Sequence, residues 1–375
     1  MPSRPVVVVG AGTVGLSIGW RLAEAGQPVT IFDEGKAGRG TSWQAAGMLA
    51  PDAEIGFEEL DLYALSRESL RRWPAFAEEL ETASGQNVDL RTEGTFVVAD
   101  DPDSAERLRR LYDFQQKQGL DVEWLSSEAA LEREPFLAPR LSAAVFAPAD
   151  HQVDNRRLLR ALRVAFEEAG GTLREDTPVQ SVAPRSDYPT VTTASGERAE
   201  ARVVVVAAGT GTRGIEGLEG MPAVRPVKGQ MIELKAARPF ALEHVVRGPD
   251  AYLAPKSDGR LLVGATSEER GFDRRVTAGG LFELLEGARQ VVPGIDELEV
   301  TATWAGLRPA ARDNAPLLGP SRLPGVVLAT GHYRHGVLLS PVTAEEVARL
   351  VLEGETSRWI EPFSPARFNK APTAA

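Results

Sequence analysis

The sequence contains no cysteine and only four histidines among its 375 residues. Without cysteine the chain forms no disulfide and has no thiolate nucleophile, iron–sulfur cluster or cysteine-ligated zinc. A histidine-rich metal site is also unexpected with so few histidines, and we predict no metal. If the chain is an enzyme, its difficult chemistry is therefore expected to rest on a bound organic cofactor.

Net positive charge is absent as well, because 42 lysines and arginines are outnumbered by 53 acidic residues, which leaves a net charge of −11. Such a chain lacks the basic surface that nucleic acids and anionic membranes attract. The longest uncharged stretch, residues 5–20, is broken by glycines and is shorter than the roughly 18 apolar residues of a membrane span. The first residues, Met-Pro-Ser-Arg, do not resemble a secretory signal. We expect a cytoplasmic protein with no nucleic-acid or membrane partner.

Short apolar runs followed by glycine occur three times and predict parallel strands that are buried on both faces. The first, Val6–Val9, is followed by a helical pattern over residues 13–25 and a second run, Val29–Phe32, which makes a β-α-β unit. Later runs lie at residues 203–208 and at Val326–Thr330, the last preceding a predicted helix over 336–352.

Other segments alternate apolar with polar residues, which predicts antiparallel strands with one covered face. They lie at residues 88–99, 224–234, 245–264 and 298–310. The predicted fold class is therefore α/β, a discontinuous Rossmann-type domain into which an antiparallel β-sheet domain is inserted twice. We assign residues 1–86, 143–222 and 303–375 to the first domain and residues 87–142 and 223–302 to the second.

A phosphate-binding turn is predicted where residues 10–15, Gly-Ala-Gly-Thr-Val-Gly, join the first strand to the first helix. Gly10 permits the tight turn, Gly12 lets the backbone approach a pyrophosphate, and Gly15 lets the helix pack closely on the sheet. Asp33, at the end of the second strand, is placed to accept the ribose hydroxyls of an adenosine. FAD and NAD share this fingerprint, so the turn alone does not choose between them.

The segment that follows the second strand favours FAD. Residues 40–51, Gly-Thr-Ser-Trp-Gln-Ala-Ala-Gly-Met-Leu-Ala-Pro, are uncharged and rich in small and hydroxyl side chains. Small residues let the backbone approach a large flat ring, whereas a nicotinamide enzyme has no evident need for such a segment. A flexible surface loop is the alternative, but Trp43, Met48 and Leu49 would be unusual residues to expose.

Two further motifs, Trp-Ala-Gly-Leu-Arg-Pro at 304–309 and Gly-His-Tyr-Arg-His-Gly at 331–336, complete a resemblance that covers nearly the whole chain. Together with the two earlier segments, they resemble the glycine oxidases of thiamine biosynthesis, within the FAD-dependent D-amino acid oxidase family. The resemblance implies an FAD-binding domain with an inserted substrate-binding domain, and a non-covalent FAD, since no cysteine is present to form a thioether.

The resemblance also implies an activity: oxidation of glycine and of small amines or D-amino acids, such as sarcosine, D-alanine and D-proline, to the imine and 2-oxo acid. Molecular oxygen would be reduced to hydrogen peroxide, the product would feed thiazole formation, and the enzyme would be a homo-oligomer such as a tetramer. Flavin N5 would accept the hydride, so no protein residue is assigned a catalytic role.

Site residues carried over from the family form three groups. The substrate would be held by Arg308, Arg334, Tyr252 and Ser267. The pyrophosphate and adenosine would lie against Gly10, Gly12, Thr13, Val14, Gly15, Asp33, Glu34 and Val179. The flavin would lie against Thr41, Ser42, Ala46, Gly47, Met48, His332, Tyr333, Arg334, His335, Gly336, Val337 and Leu338, with a helix starting near residue 336 directed at its N1 edge.

Some positions depart from the family or admit a second interpretation. Gly211-Thr212 replaces a usual Trp-Ser pair, Ser267 stands where a glycine oxidase has methionine, and Asp250 replaces a pocket histidine, which leaves the substrate size open. Arg308 would otherwise form an ion pair, for instance with Asp313. Tyr252 is equally consistent with a half-buried strand aromatic.

Three other functions stay open at this point. The first is an FAD-dependent D-amino acid dehydrogenase that passes electrons to a quinone or a protein acceptor. The second is an NAD-dependent dehydrogenase, and the third is a flavin-containing subunit with a role in assembly and no activity of its own.

Overall fold

The computed structural model describes residues 4–184, 188–236 and 238–369, which form two large β-sheets with helices packed on them. The strands are β1 Val6–Val9, β2 Val29–Phe32, β3 Met48–Leu49, β4 Thr95–Ala99, β5 Glu123–Leu125, β6 Ala143–Ala147, β7 His151–Gln152, β8 Thr172–Arg174, β9 Val179–Pro184, β10 Pro189–Thr193, β11 Arg198–Glu200, β12 Val203–Val206, β13 Arg225–Lys235, β14 Val245–Arg247, β15 Tyr252–Pro255, β16 Arg260–Gly264, β17 Glu299–Ala310, β18 Leu317–Pro320 and β19 Val326–Thr330.

The helices connect and cover these strands. They are α1 Thr13–Glu24, α2 Thr41–Gln44, α3 Leu60–Ser84, α4 Pro102–Lys117, α5 Ser127–Arg133, α6 Asn155–Glu168, α7 Ala278–Val291 and α8 Ser340–Glu353. Short 3-10 helices lie at Gly209–Gly214, Pro293–Glu297, Glu361–Phe363 and Pro365–Asn369.

The first sheet has six strands in the order β18-β19-β12-β1-β2-β8. All of its pairs are parallel except β18 with β19. The valine runs of β1 and β12 lie at its centre, where α1, α3, α6 and α8 contribute to the apolar core beside them. Full burial explains why these strands are continuous apolar runs rather than alternating ones. The predicted Rossmann-type unit is confirmed.

The second sheet has eight strands in the order β17-β13-β16-β15-β14-β4-β6-β5 and is antiparallel except for β14 with β4. Its second strand in this order, β13, is buried from residue 226 to residue 234. We expected one covered face from its alternating sequence, and this was wrong. Ile232 and Leu234 pack with Leu284 of α7, while Met231 packs on the opposite face with Ala46. Both faces are covered because α7 packs on one and the segment around Ala46 packs on the other.

Element boundaries differ from the sequence-based expectations at three places. Strand β6 lies in the eight-stranded sheet although we placed residue 143 onward with the Rossmann-type domain, and β17 extends in that sheet to Ala310. Helix α8 begins at Ser340 and not near residue 336, because residues 336–339 form turns ahead of it. The division into the two domains given above stays a prediction.

Among the described residues, no helix combines the length and the apolarity that crossing a bilayer requires. The same residues contain no group of three or more histidine, aspartate or glutamate side chains arranged to hold a metal ion.

Candidate active site

One long cleft begins at the carboxyl ends of β1, β2, β12 and β19 and continues to the face of the eight-stranded sheet. Ligands of α/β proteins bind at this edge of the sheet, where the strands end and the loops diverge. Every residue that the sequence assigned to cofactor or substrate lines this cleft except Thr13 and Gly15.

The glycine-rich turn has the geometry that the fingerprint predicts. Gly10 has φ +104°, and a Cβ on it would lie 2.5 Å from the Ala207 carbonyl oxygen. A side chain on Gly15 would collide with the Gly10 carbonyl, so its role is close packing of α1 on the sheet. Thr13 contributes its backbone amide, which donates to Ser42 Oγ at 3.0 Å. The turn therefore presents bare backbone to the cleft at Gly10 and Gly12.

Asp33 lines the cleft at the end of β2, but its carboxylate also has internal partners. Its Oδ2 accepts the Ala11 amide at 2.6 Å, and its Oδ1 accepts the Gly35 amide at 2.9 Å. Each carboxylate oxygen keeps a second lone pair that can accept a ribose hydroxyl. Asp33 thus shapes the glycine-rich turn and also lines the cleft.

The small-residue segment lies between the two sheets. The Thr41 hydroxyl donates to the Leu307 carbonyl at 2.7 Å, and the Trp304 indole donates to the Gln44 carbonyl at 3.0 Å. Both bonds join the segment to β17. Trp43 is half-buried beneath the Arg156 guanidinium, which lies 3.8 Å from its ring centroid. The segment is therefore held in place, in contrast to a flexible loop.

Arg308 projects from β17 at its pairing with β13. Its Nη1 donates to the Thr266 carbonyl at 3.0 Å and to the Lys228 carbonyl at 3.4 Å, and nothing in the described ranges offers it a carboxylate. Asp313 pairs instead with Arg367 at 2.8 Å, so the structural ion pair considered above is not formed. A side chain on Gly229 would collide with the guanidinium, which explains the glycine at that position of β13.

Tyr252 lies beside this arginine on the wall of the cleft. Its hydroxyl donates to Met231 Sδ at 3.3 Å, a weak partner that a ligand oxygen would readily replace. Burial raises the pKa of Tyr252 to about 12, so the hydroxyl keeps its proton and can donate it.

The two histidines of the 331–336 motif are buried and neutral. Burial lowers the pKa of His332 to about 3 and that of His335 to about 4. The His332 ring is hydrogen-bonded to Thr343 of α8 at 3.1 Å. Between them Tyr333 adopts φ +50°, an unusual backbone for a side chain of this size, and its amide donates to the Pro309 carbonyl at 2.7 Å. All three residues line the cleft, and the two imidazoles are neutral near pH 7.

Glu54 is a cleft residue that sequence reasoning missed. It is 11% exposed and accepts a hydrogen bond from Arg247, which also lines the cleft. Burial alone would raise the pKa of Glu54, but neighbouring positive charge, that of Arg247 foremost, holds it below the ordinary value. No local pattern marked either residue, because Glu54 follows a proline-containing turn and Arg247 lies in an alternating strand.

The turn that leads to Glu54 is held by a buried aspartate, Asp150. The Asp150 carboxylate accepts the amides of Asp52 and Ala53, each at 3.0 Å. Burial together with the nearby carboxylates holds the pKa of Asp150 well above its ordinary value. The long-range bond from residue 150 to residues 52 and 53 is therefore what places Glu54 in the cleft.

The cleft fits a dinucleotide flavin along its length. One end has side-chain-free backbone at the start of α1 with Asp33 beside it, which suits a pyrophosphate and an adenosine. The middle is lined by the small residues 45–47, and the far end holds Arg308 and Tyr252. A flat ring in the middle would thus separate an adenosine site from an anion-binding site.

Comparison with known proteins agrees with this geometry. The family model described as DAO, FAD dependent oxidoreductase, matches residues 5–350. Glycine oxidase of Geobacillus kaustophilus (strain HTA426) is 39% identical over 366 residues, which cover 96% of each protein. The crystal structure of glycine oxidase from Geobacillus kaustophilus superposes with a TM-score of 0.91 at 39% identity, and the match covers 96% of this chain and 98% of that one.

A second relative is named for a different substrate. The crystal structure of iminodiacetate oxidase from Chelativorans sp. BNC1 matches with a TM-score of 0.87 at 28% identity, covering 96% of this chain and 98% of that one. The similarity in each case extends over both sheets and the cleft between them.

Proposed function

Since the chain belongs to the DAO family of FAD-dependent oxidoreductases and to its glycine oxidase group, we propose that it oxidises glycine and small amines or D-amino acids. It is an FAD-dependent amino acid oxidase, and bound FAD supplies the electron acceptor for the substrate C–H bond. The proposed products are the imine, which water hydrolyses to the 2-oxo acid, and hydrogen peroxide from molecular oxygen. Sarcosine, D-alanine and D-proline are the proposed substrates besides glycine.

The observation that carries this proposal is the Arg308 guanidinium. It lies on the cleft wall with its Nε and Nη2 donors left over after Nη1 bonds the Thr266 and Lys228 carbonyls, and it has no acidic partner among the described residues. A planar guanidinium binds a carboxylate through two parallel hydrogen bonds. Tyr252, whose hydroxyl keeps its proton, is placed to donate a third. An amino acid held by its carboxylate in this way has its α-carbon near the middle of the cleft.

In the proposed reaction the protein contributes mainly by orienting the substrate. His332 and His335 are neutral and buried, so neither acts as a proton donor near pH 7. Arg308 and Tyr252 fix one end of the substrate, and a fixed end removes much of the entropic cost of aligning the reacting bond. Ser267 and Asp250 line the same cleft and are proposed to limit the size of the substrate.

The test is a substrate screen with a peroxide readout. We expect the purified yellow protein to release peroxide under air with glycine, sarcosine, D-alanine or D-proline, and to release none with L-alanine. The peroxide signal should disappear when catalase is added. Reduction of the flavin by these amines without peroxide release, together with rapid transfer to a quinone, would instead identify the D-amino acid dehydrogenase.

We also propose a physiological role from the resemblance to glycine oxidases of thiamine biosynthesis. The imine formed from glycine would feed thiazole formation in the cytoplasm, and the enzyme would work as a homo-oligomer such as a tetramer. Loss of the gene should create a growth requirement that thiazole or thiamine relieves. Growth of the deletion strain at the normal rate without thiamine would contradict this role, and sedimentation of the purified protein would measure the assembly.

A further inference from the structure

Lys256 is a buried lysine that makes hydrogen bonds but forms no ion pair. It follows β15, is 4% exposed, and its Nζ donates to the Ala46 carbonyl at 2.6 Å, to the Val153 carbonyl at 3.0 Å and to Gln152 Oε1 at 3.2 Å. All three donors of the ammonium group are thereby satisfied. No acidic side chain of the described chain forms an ion pair with it, and burial lowers the pKa of Lys256 to about 7. Burying a cation in this way is costly, so its position calls for a functional explanation.

The partners of Lys256 belong to the segment that lines the middle of the cleft. Gly47 has φ +78°, and a Cβ on it would collide with the Val153 carbonyl, so the two backbones approach very closely. The Val153 amide donates to the Gly47 carbonyl at 2.9 Å. The carbonyls of Ala46 and Val153 both point to the ammonium group, which offsets the repulsion between them. Lys256 therefore joins the second sheet to the turn at residues 46–48 from the side away from the cleft.

One peptide unit connects Lys256 to the cleft. The Ala46 carbonyl that accepts from Lys256 and the Gly47 N–H are the two ends of the same amide. No acceptor within the described ranges receives that N–H, and Gly47 lines the cleft. A cation at the carbonyl end of an amide polarises it and strengthens the N–H as a donor. Lys256 itself does not line the cleft.

We propose that Lys256 is a positioning residue that fixes residues 46–48 against the flavin and strengthens the Gly47 N–H as a donor to it. The inference rests on the binding of FAD in this cleft and on no particular amine substrate. A cation held in this way should tighten FAD binding and, by stabilising negative charge on the reduced ring, should raise its midpoint potential.

The experiment compares Lys256→Met with Lys256→Arg and with a control, Lys235→Met, which makes the same change at an exposed position at the end of β13. Three quantities are measured on each protein at about pH 6, where Lys256 carries its proton: the FAD dissociation constant of the apoprotein, the difference in melting temperature between holoprotein and apoprotein, and the midpoint potential of the bound flavin. None of them uses an amine, so failure of this inference is distinct from failure of the proposed function.

For Lys256→Met we expect an FAD dissociation constant at least about tenfold higher, a smaller gap between the two melting temperatures and a lower midpoint potential. Lys235→Met should match the wild type. A Lys256→Met protein whose apo form melts earlier while FAD affinity and potential stay unchanged would show a purely structural role and overturn the proposal.

Lys256→Arg decides the question if Lys256→Met does not fold. It keeps the charge and the donors, so FAD affinity within about threefold of wild type and an unchanged potential are expected. A Lys256→Arg apoprotein of normal stability that nevertheless loses FAD or shows a lowered potential would mean that charge and hydrogen bonding are not what matters at this position.

Discussion

Replacing Arg308 should separate substrate binding from flavin binding. In Arg308→Met the side chain keeps its apolar stem, and the guanidinium with its bonds to the Thr266 and Lys228 carbonyls is lost. No acidic residue of the described chain is left unpaired, because Arg308 forms no ion pair there. The change should therefore cost little folding stability and leave the glycine-rich turn and residues 46–48 intact.

The expected loss of kcat/KM follows from the hydrogen bonds that a substrate carboxylate would make with Arg308. Each charge-assisted bond is worth about 1.5–3 kcal/mol, and a guanidinium supplies two in parallel. Competition from water reduces the sum to about 3–4 kcal/mol, so kcat/KM for glycine should fall roughly 10²- to 10³-fold in Arg308→Met. Arg308→Lys keeps the charge but loses the two parallel donors of the guanidinium, so kcat/KM for glycine should fall about 10- to 100-fold.

The assay is steady-state peroxide release over a range of glycine concentrations, combined with anaerobic titration of the flavin by glycine. The FAD content of each variant should equal that of the wild type, since Arg308 is assigned to the substrate. Arg270→Met, which removes an exposed arginine outside the cleft, is the matched control and should change neither constant. An Arg308→Met enzyme that binds glycine within about threefold of wild type would remove Arg308 from the site.

Three further substitutions test the cofactor site and its support. Gly10→Ala should yield a protein that retains no FAD, because the new Cβ would lie 2.5 Å from the Ala207 carbonyl at φ +104°; a yellow preparation of normal stability would contradict this. Asp33→Asn should raise the FAD dissociation constant about tenfold, measured by titrating apoprotein. The asparagine side chain has an NH2 donor in place of one carboxylate oxygen, so only one acceptor is left for the Ala11 amide and the ribose. Lys256 has a folded pKa of about 7 against 10.5 for the free side chain, so between these values the unfolded chain binds a proton that the folded chain does not. Wild-type stability should therefore rise with pH relative to Lys256→Met, by about 2 kcal/mol from pH 7.5 to pH 9 in denaturant unfolding, and equal slopes for the two proteins would refute it.

The cofactor and the Rossmann-type unit could be predicted because their signals are local. Gly10, Gly12 and Gly15 work through the backbone of one strand–turn–helix, and β1, α1 and β2 form where their apolar patterns lie. The motif around Arg308 resembles that of the glycine oxidases and so proposed this arginine for the substrate carboxylate, and the absence of cysteine already directed attention to an organic cofactor. Such features depend on neighbours within a few residues, which a sequence displays directly.

Other features depended on contacts between distant parts of the chain, and only the tertiary structure decided them. Asp313 forms its ion pair with Arg367, although Arg308 is much nearer to Asp313 in sequence. Arg308 is thereby left without an acidic partner in the described chain. Glu54 enters the cleft because Asp150 holds the turn before it, and Lys256 meets Ala46 across 210 positions. A carboxylate or an ammonium group has the same chemistry wherever it stands in a sequence. Its pKa and its role are set by the solvent that folding removes and the partners that folding brings near.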